Sequence, residues 1–294
     1  MKILNYGSLN IDHVFRVDHI VTPGETIDSD SFQIFPGGKG LNQSLAAARA
    51  GAPVWHAGFV GDDGEFLLDL LRESGADCSL IRRVPGSTGS TFIQVDASGQ
   101  NSIVLFGGTN RANTAERVAE VVGSFAPGDI LLLQNEINQI DVILQAAYER
   151  GLTVVLNPSP MNSAVTDADI SGVSLFIMNE TEGEQITGKS DPSAILDAMR
   201  DRFPQAGVVL TLGKKGAWYQ KDLIRVSRAI YPMPVVDSTA AGDTFTGYYL
   251  AAMIEGQAPE DCLAFATKAS AIAVSRPGAA GSIPWRHEVE ALPD

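Results

Sequence analysis

The residues with the clearest chemical potential lie in one short segment, Asp237-Ser-Thr-Ala-Ala-Gly-Asp243, which precedes a run typical of a helix. Small residues allow backbone N–H groups to surround an anion, and the start of a helix adds partial positive charge. Beside a phosphate caged by Ala240, Ala241 and Gly242, the Asp243 carboxylate is placed to accept a proton from an attacking hydroxyl. The segment predicts a kinase of a small alcohol, although an aspartate that only caps the helix is the simpler alternative.

A second segment, Gly37-Gly-Lys-Gly-Leu-Asn42, also begins a helical pattern. Glycine lets the backbone approach a ligand closely, and asparagine can both donate to and accept from a hydroxyl. Asn10 and Asp12 would point to the same side of an extended strand and suit a pair of sugar hydroxyls. The simpler alternatives are a flexible connection for the glycines and the polar face of an edge strand for the pair.

Further candidates lie near the ends of apolar strands. Thr211-Leu-Gly-Lys-Lys-Gly216 offers a glycine-rich turn to a phosphate, or is an ordinary turn. Glu182 could hold Mg²⁺ through water, or could belong to a helix cap with Asn179. Glu136 follows the strand predicted at 129–133, and open α/β sheets bind ligands at such strand ends. Neither a Walker A pattern nor a dinucleotide fingerprint occurs, so a nucleotide would use these other loops.

The elements that must position these residues alternate between strand and helix after about residue 112. Continuous apolar runs such as Ile130–Leu133 indicate strands covered on both faces, which predicts a mostly parallel sheet between two helical layers. Two β-rich patches, about 12–35 and 88–110, are each too small to be stable alone, so we expect them to pair into one small sheet. Three short strands are predicted within 216–236. The chain, 1–294, is expected to be one domain with this small sheet as an inserted lid.

The composition limits the possible partners and compartments. The chain of 294 residues has a net charge of −14, which argues against nucleic acid or an anionic membrane as a partner. Two cysteines, a start unlike a signal peptide and the absence of a long apolar run favour a cytoplasmic protein.

Taken together, these segments resemble the ribokinase-like, or phosphofructokinase-B, family of carbohydrate kinases over essentially the whole chain. The G-G-x-x-x-N signature is similar to Gly37–Asn42, and the D-T-x-x-A-G-D signature to Asp237–Asp243, with Ser238 in place of threonine. Within the family the ribokinase branch is most similar, through segments such as Gly7–Asp12 and Asn157–Pro160. The resemblance implies a ribokinase-like α/β fold and ATP-dependent phosphorylation of a primary hydroxyl of a pentose, D-ribose to ribose 5-phosphate.

The resemblance also implies roles for individual residues, with Asp243 as the base and Glu182 reaching Mg²⁺ through water. The implied sugar contacts are Asn10, Asp12, Gly38, Lys39, Asn42 and Glu136. The implied ATP contacts are Asn179, Thr211, Leu212, Gly213, Lys214, Lys215, Gly216, Gly242 and Thr267. The positions that match a monovalent cation site, usually of K⁺, are Asp237, Thr239, Ala273, Arg276, Gly278 and Ser282. The lid would form the contact of a homodimer.

One departure leaves the acceptor open. Where the family often reads G-A-N-A, this chain has Gly108-Thr-Asn-Arg111. Arg111 near the sugar site would favour a different or charged substrate, whereas a solvent-facing Arg111 would not. The alternatives are therefore a kinase for another sugar, a sugar acid or a nucleoside, and a sugar-binding regulator without catalytic activity.

Overall fold

A nine-stranded sheet and a four-stranded sheet organise the protein, which is seen in a computed structural model that describes residues 1–293. The strands are β1 (Ile3–Tyr6), β2 (Asn10–Arg16), β3 (Ser31–Gly37), β4 (Val54–Val60), β5 (Asp77–Arg83), β6 (Gly89–Val95), β7 (Asn101–Phe106), β8 (Ile130–Gln134), β9 (Thr153–Asn157), β10 (Leu175–Asn179), β11 (Gly207–Thr211), β12 (Ala217–Lys221) and β13 (Ile224–Arg228). The helices are α1 (Lys39–Arg49), α2 (Glu65–Glu73), α3 (Ala115–Gly123), α4 (Ile140–Arg150), α5 (Ser163–Thr166), α6 (Glu180–Thr187), α7 (Pro192–Arg202), α8 (Ala241–Ile254), α9 (Pro259–Val274) and α10 (Arg286–Glu290).

The large sheet has the strand order β13-β12-β11-β10-β9-β8-β1-β4-β5. Strands β1, β4, β5 and β8–β11 run parallel to one another, whereas β12 and β13 are antiparallel additions at one edge. All residues of β8 are buried, because helices cover both faces, and the predicted parallel sheet is confirmed. From β1 the chain first adds β4 and β5 on one side, and later adds β8, β9 and the following strands on the other side. The order of the strands therefore reverses at β1, which lies between β4 and β8. Ligands of open α/β sheets bind at such a switch point, beyond the carboxyl ends of the strands.

Two helical layers enclose the large sheet and form two hydrophobic cores. One core contains Leu45 of α1, Tyr248 of α8 and Ile272 of α9, and the other includes Leu144 of α4. Helices α1 and α8 approach very closely at Gly247, where an added Cβ would lie 2.4 Å from the Cβ of Ala46. This crossing brings the N-terminal turn of α1 next to that of α8.

The two β-rich patches form one small sheet with the order β3-β2-β6-β7, as the sequence predicts. Residues opposite each other in the register project to the same face of a sheet. Asp12 lies between Phe35 and Thr91 in one row, and this row faces the site described below. His13 lies between Ile34 and Phe92 in the next row, which therefore projects to the other face.

Two details differ from the sequence-based expectation. Strand β5 was not predicted, because its polar and apolar residues alternate irregularly at an edge of the sheet. Only two strands, β12 and β13, form within 216–236, so the third predicted strand was wrong. Pro232 and Pro234 explain this result, since proline lacks the N–H group that a ladder requires. Within residues 1–293, none of the helices combines the length and apolar character that crossing a bilayer requires.

Candidate active site

The N-terminus of α8 carries the Asp243 carboxylate into the interior of the molecule. Ala240, at the N-cap position, has a left-handed backbone with φ of 58°, a conformation that costs energy for any residue with a Cβ. After this turn the helix begins at Ala241, and Asp243 in its first turn is 7% exposed. The Ala241 N–H donates to the Ser238 carbonyl at 3.3 Å, whereas the N–H groups of Gly242 and Asp243 lie in the first turn, where a helix offers no acceptor. The strained turn therefore places amide donors next to a carboxylate.

Both oxygens of Asp243 accept hydrogen bonds from α1. Asn42 Nδ2 donates to Oδ2 at 3.1 Å, and Gln43 Nε2 donates to Oδ1 at 2.9 Å. The buried Oδ1 of Asn42 has no hydrogen-bond partner within the described residues. A substrate hydroxyl at this position would satisfy Asn42 Oδ1 and at the same time lie close to the carboxylate.

A polar cavity of about 210 Å³ opens in front of Asp243. Its walls include Lys39, Glu182 and Gly242. Burial lowers the pKa of Lys39, but the carboxylates of Asp243, Glu136 and Glu182 outweigh that effect and raise it. Lys39 therefore carries its positive charge into a site that also contains a helix N-terminus, and both features favour an anion.

An apolar pocket of about 270 Å³ continues from this cavity, and Thr211, Ser238, Ala241 and Gly242 line both. Its apolar wall is formed by Ile230, Tyr231, Met233, Val235, Phe245, Ala271 and Val274. A flat apolar group would fit here while a charged group attached to it reaches Gly242. An added Cβ at Gly242 would meet nothing within 4 Å, so this glycine leaves open space where the two cavities join.

The opposite side of Asp243 is formed by the switch point and the small sheet. The carboxylate of Asp12 accepts from Thr91 Oγ1 and covers Gly37, where a Cβ would lie 2.0 Å from Asp12 Oδ2. Burial raises the pKa of Asp12 to about 6, the Thr91 hydrogen bond opposes this shift, and the charge of Glu136 adds to it.

Glu136 follows β8, and burial raises its pKa although Lys39 opposes the shift. Its carboxylate accepts from the backbone N–H of Lys39 at 2.9 Å and from Ser8. Asn10 Oδ1 accepts from Asn110 Nδ2 at 2.7 Å. Gly38 has a φ of 94°, which a residue with a side chain rarely adopts, and it precedes α1 directly.

Most of the residues predicted to contact ATP line one of the two cavities, while Leu212 and Lys215 do not. Gly213, Lys214, Gly216 and Thr267 line the apolar pocket, and Asn179 lines the polar cavity. The side chain of Leu212 is buried in the hydrophobic core, so only its backbone is available to a ligand. The ammonium group of Lys215 lies 3.9 Å from the Glu180 carboxylate. Asn179 and Glu182 form a capping box at α6, the alternative that the sequence had left open, while Glu182 still borders the polar cavity.

The residues of the predicted cation site lie on two loops that meet. Asp237 Oδ1 accepts from Thr239, and its Oδ2 accepts from the backbone N–H of Gly278 at 2.9 Å. The Arg276 guanidinium pairs with Glu288 at 2.7 Å, and the Ser282 hydroxyl donates to a backbone carbonyl at the same distance. Ala273 is fully buried in α9. Arg276 and Ala273 can therefore contribute only backbone oxygens to a cation, whereas Ser282 also keeps the lone pairs of its hydroxyl oxygen.

Arg111 lies outside both cavities that contain Asp243 or Gly242. Its guanidinium donates to the carbonyl of Ile137 at 2.9 Å and borders a separate surface cavity of about 380 Å³. The side chain is exposed, which agrees with the solvent-facing alternative.

Sequence reasoning did not assign several polar residues that the structure brings to the site. They are Gln43, Thr91, Asn110 and Gln134. Gln43 carried a local signal, because it directly follows the Gly37–Asn42 segment, and Asn110 lies in the Gly108–Arg111 segment that resembles the family pattern. Thr91 and Gln134 contact the site only after distant strands have come together.

A buried carboxylate at a helix N-terminus, beside a polar cavity that continues into an apolar pocket, defines a nucleotide-dependent phosphotransferase site. Residues 1–286 match the family model described as pfkB family carbohydrate kinase, so this chain belongs to the PfkB carbohydrate kinase family.

Similar proteins extend over nearly the whole chain. It is 36% identical to the ribokinase of Haemophilus influenzae, with 96% of this chain and 95% of that protein covered. It is 34% identical to the ribokinase of Staphylococcus aureus, with 98% of each chain covered. The crystal structure of a Thermotoga maritima ribokinase has a TM-score of 0.87 at 33% identity, covering 99% of this chain and 98% of that one. An Arabidopsis thaliana ribokinase complexed with ribose and ATP has a TM-score of 0.84 at 29% identity, covering 98% of this chain and 97% of that one.

Proposed function

We propose that this protein transfers the γ-phosphoryl group of ATP to the primary hydroxyl of a pentose, converting D-ribose to ribose 5-phosphate. The observation that carries the proposal is the place of Asp243, buried at the N-terminus of α8 where the polar cavity begins. The similarity covers at least 95% of each ribokinase named above, and the Arabidopsis protein is complexed with ribose and ATP.

In the proposed reaction Asp243 accepts the proton of the sugar hydroxyl as that hydroxyl attacks the phosphorus atom. The N–H groups of Gly242 and Asp243 stabilise the charge that develops on the transferred group, and the Ala241 N–H would join them on leaving the Ser238 carbonyl, with the anion cage shaped by the turn at Ala240. Lys39 adds positive charge at the same cavity. Phosphoryl transfer depends mainly on such placement and charge stabilisation.

On the sugar side, Asn10, Asp12 and Glu136 face the ring hydroxyls from the small sheet and the switch point. Asn42 Oδ1 has no partner in the described residues and would accept from a hydroxyl beside the base. The small sheet acts as a lid of one kinase domain that spans 1–294, and it would exclude water so that ATP is not hydrolysed.

A divalent cation fits the polar cavity through water. Among the described residues, no cluster of three or more His, Cys, Asp or Glu side chains is arranged as a metal site. Mg²⁺ usually keeps several waters and uses one or two carboxylates with the substrate phosphates, and Glu182 borders the cavity in that way. Bound there, Mg²⁺ would neutralise charge on the phosphates.

A monovalent cation such as K⁺ fits the loops around Asp237 and Gly278, because backbone carbonyls are its typical ligands. Asp237 already joins the two loops through its hydrogen bonds to Thr239 and Gly278. The cation would stabilise the loop that leads into the turn at Ala240. Replacing K⁺ with a bulky organic cation should lower activity, and unchanged activity would contradict this role.

The outer face of the small sheet supports a homodimer. Ile34, Phe92 and Val104 lie in one row of the register, with His13 between Ile34 and Phe92, and are 52%, 45% and 65% exposed. An apolar row of this kind on a solvated sheet favours burial against a second copy. We expect Val104→Glu to convert a wild-type dimer to a monomer in sedimentation velocity. A monomeric wild-type protein at micromolar concentration would contradict the assignment.

The two free cysteines, Cys78 and Cys262, accord with a reducing compartment, and we propose a cytoplasmic location. A nucleoside, a hexose or a sugar acid is the alternative acceptor, and a sugar-binding regulator is the alternative class. An ADP-release assay over a panel of these compounds separates the alternatives, since the highest kcat/KM identifies the acceptor and a regulator gives no turnover.

The base is tested by Asp243→Asn, with Asp261→Asn in the first turn of α9 as the matched control. The first substitution should lower kcat by about 10²–10⁴-fold, the usual scale for losing a general base. The control should retain wild-type turnover. A folded Asp243→Asn variant with near-normal turnover and unchanged sugar affinity would refute the proposed role.

A further inference from the structure

Gln43, on α1, is a buried amide side chain that contacts Asp243 and side chains of β8 and β9. It is fully buried, and its Nε2 donates to Oδ1 of Asp243 at 2.9 Å. Asn42 donates to the other carboxylate oxygen at 3.1 Å. Each oxygen of the proposed base thus accepts one neutral amide N–H without any substrate.

The orientation of Gln43 needs a physical cause, because a carboxamide can present either its nitrogen or its oxygen. Gln43 Oε1 accepts from Gln134 Nε2 at 2.7 Å, and Gln134 Nε2 also donates to Asn5 Oδ1 at 2.9 Å. Asn5 Nδ2 in turn donates to the backbone carbonyl of Gly40 at 2.8 Å. A backbone carbonyl can only accept, so it fixes the direction of Asn5, then of Gln134, and then of Gln43.

A second anchor of the same kind lies on the other side of Gln43. Gln43 Nε2 donates to Asn157 Oδ1 at 3.2 Å, and Asn157 Nδ2 donates to the backbone carbonyl of Ile177 at 2.8 Å. The two anchors agree about which end of Gln43 carries the N–H groups. A reversed Gln43 would place its oxygen against the oxygens of Asp243 and Asn157, and its nitrogen against that of Gln134.

We propose that Gln43 is a positioning residue for the transfer reaction, and that Gln134 and Asn157 orient it so that it holds the Asp243 carboxylate in its reactive orientation. The inference rests on the proposed function, because it takes Asp243 as the base. Hydrogen bonds to the charged form of a carboxylate favour that form, and only the ionised form can accept the proton. Gln134 does not contact Asp243, so it acts through Gln43.

The charged groups around Asp243 must be considered before a pH effect is assigned to these amides. Lys39, Glu136 and Glu182 act on the same cavity from α1, the end of β8 and α6. Substitution of Gln43 or Gln134 leaves all three in place. If the pH dependence of kcat differs between an uncharged variant and the wild type, the difference therefore reports the loss of the amide contact.

The experiment compares Gln43→Met, Gln134→Met and a control, Gln220→Met. Methionine keeps the length of glutamine without its N–H and adds no charge, so at position 134 it removes the donor that holds Gln43 Oε1. Gln220 is also buried and hydrogen-bonded, but it lies on β12 away from Asp243, so it reports the general loss of a buried amide. The readouts are kcat and sugar KM against pH, and the ¹³C carboxyl titration of Asp243.

Both site variants should lower kcat at pH 7.5 by about 10-fold or more while sugar KM changes by less than about threefold. The acid limb of kcat and the carboxyl titration should both move upward by about one pH unit, with the control unchanged in both. An unmoved titration, or a loss confined to KM, in either folded variant would overturn the inference. If the wild type lacks kinase activity while Gln134→Met still shifts the Asp243 titration, the proposed function would be rejected and the amide effect would stand.

Discussion

His56 should make the free energy of unfolding depend on pH, because this histidine is buried in its neutral form. It lies on β4 with 0% exposure, and Ser44 Oγ is 2.8 Å from its Nδ1. Burial lowers the pKa of His56 from 6.5 to about 4, and the Gly7 backbone opposes only part of that shift. In the unfolded chain the same side chain titrates at about 6.5.

The sign follows from these two pKa values. Between pH 6.5 and 4 the unfolded state binds a proton that the folded state does not, so acid stabilises the unfolded state. A single histidine then removes about 1.4 kcal/mol per pH unit over this range, or about 3 kcal/mol when the full shift is expressed. His56→Asn keeps a polar atom near Ser44 but cannot titrate. His56→Asn should therefore remove the contribution of His56 to the pH dependence of the unfolding free energy. The smaller side chain should also lower that free energy by a constant amount at all pH values.

Urea unfolding from pH 7.5 to 5 measures the effect, with the exposed His287→Gln on α10 as the matched control. The difference in unfolding free energy between wild type and His56→Asn should shrink by about 2 kcal/mol between pH 6.5 and 5. His287→Gln should give no comparable change in slope. A His56 imidazole that titrates near 6.5 in the NMR spectrum of the folded protein would refute the reasoning.

The remaining predictions concern the site and the α1–α8 crossing. Because the pKa of Asp12 is about 6, sugar KM should rise about 10-fold from pH 7 to pH 5 as this acceptor is protonated, and Asp12→Asn should abolish that dependence. Gly242→Ala should leave the melting temperature unchanged but raise the KM for ATP about 10-fold, since the added methyl enters open space in the nucleotide pocket. Gly247→Ala should instead lower stability by about 1–3 kcal/mol, because its Cβ would overlap Ala46. Ala240→Gly should raise stability by about 1 kcal/mol and lower kcat, since it relieves the left-handed strain but loosens the turn before the base.

Much of the fold followed from local patterns in the sequence. Continuous apolar strands such as β8 indicated a parallel sheet covered on both faces, and the structure has that sheet. The two β-rich patches were too small to stand alone, and they pair as β2 with β6. Strand β5 escaped prediction because an edge strand lacks the apolar run or regular alternation that burial imposes. The extra strand predicted before residue 236 failed because proline breaks the ladder there.

The site was predictable only in part. The segments around Asn42 and Asp243 carry their own signals, since small residues before a helix have a clear physical use at an anion site. The pairing of Gln43 with Asp243 spans 200 positions, and that of Gln134 with Asn5 spans 129. No local pattern encodes such contacts, because they depend on the α1–α8 crossing and on β1 lying beside β8. The close approach at Gly247 is what makes the first pairing possible, yet in the sequence Gly247 is only a glycine within a helix.

Asn42 and Gln43, the side chains that donate hydrogen bonds to Asp243, are both uncharged, and this matters for the proposed role of Asp243 as a base. A carboxylate in direct contact with an ammonium or guanidinium group has a strongly lowered pKa, and its affinity for a proton falls accordingly. Here the contacting donors are two carboxamides, and the charge of Lys39 acts through the longer-range field. Amide donors favour the charged form of a carboxylate less strongly than a cation in contact would. A carboxylate whose contacting donors are two amides of α1 is therefore suited to accept the proton of the attacking hydroxyl.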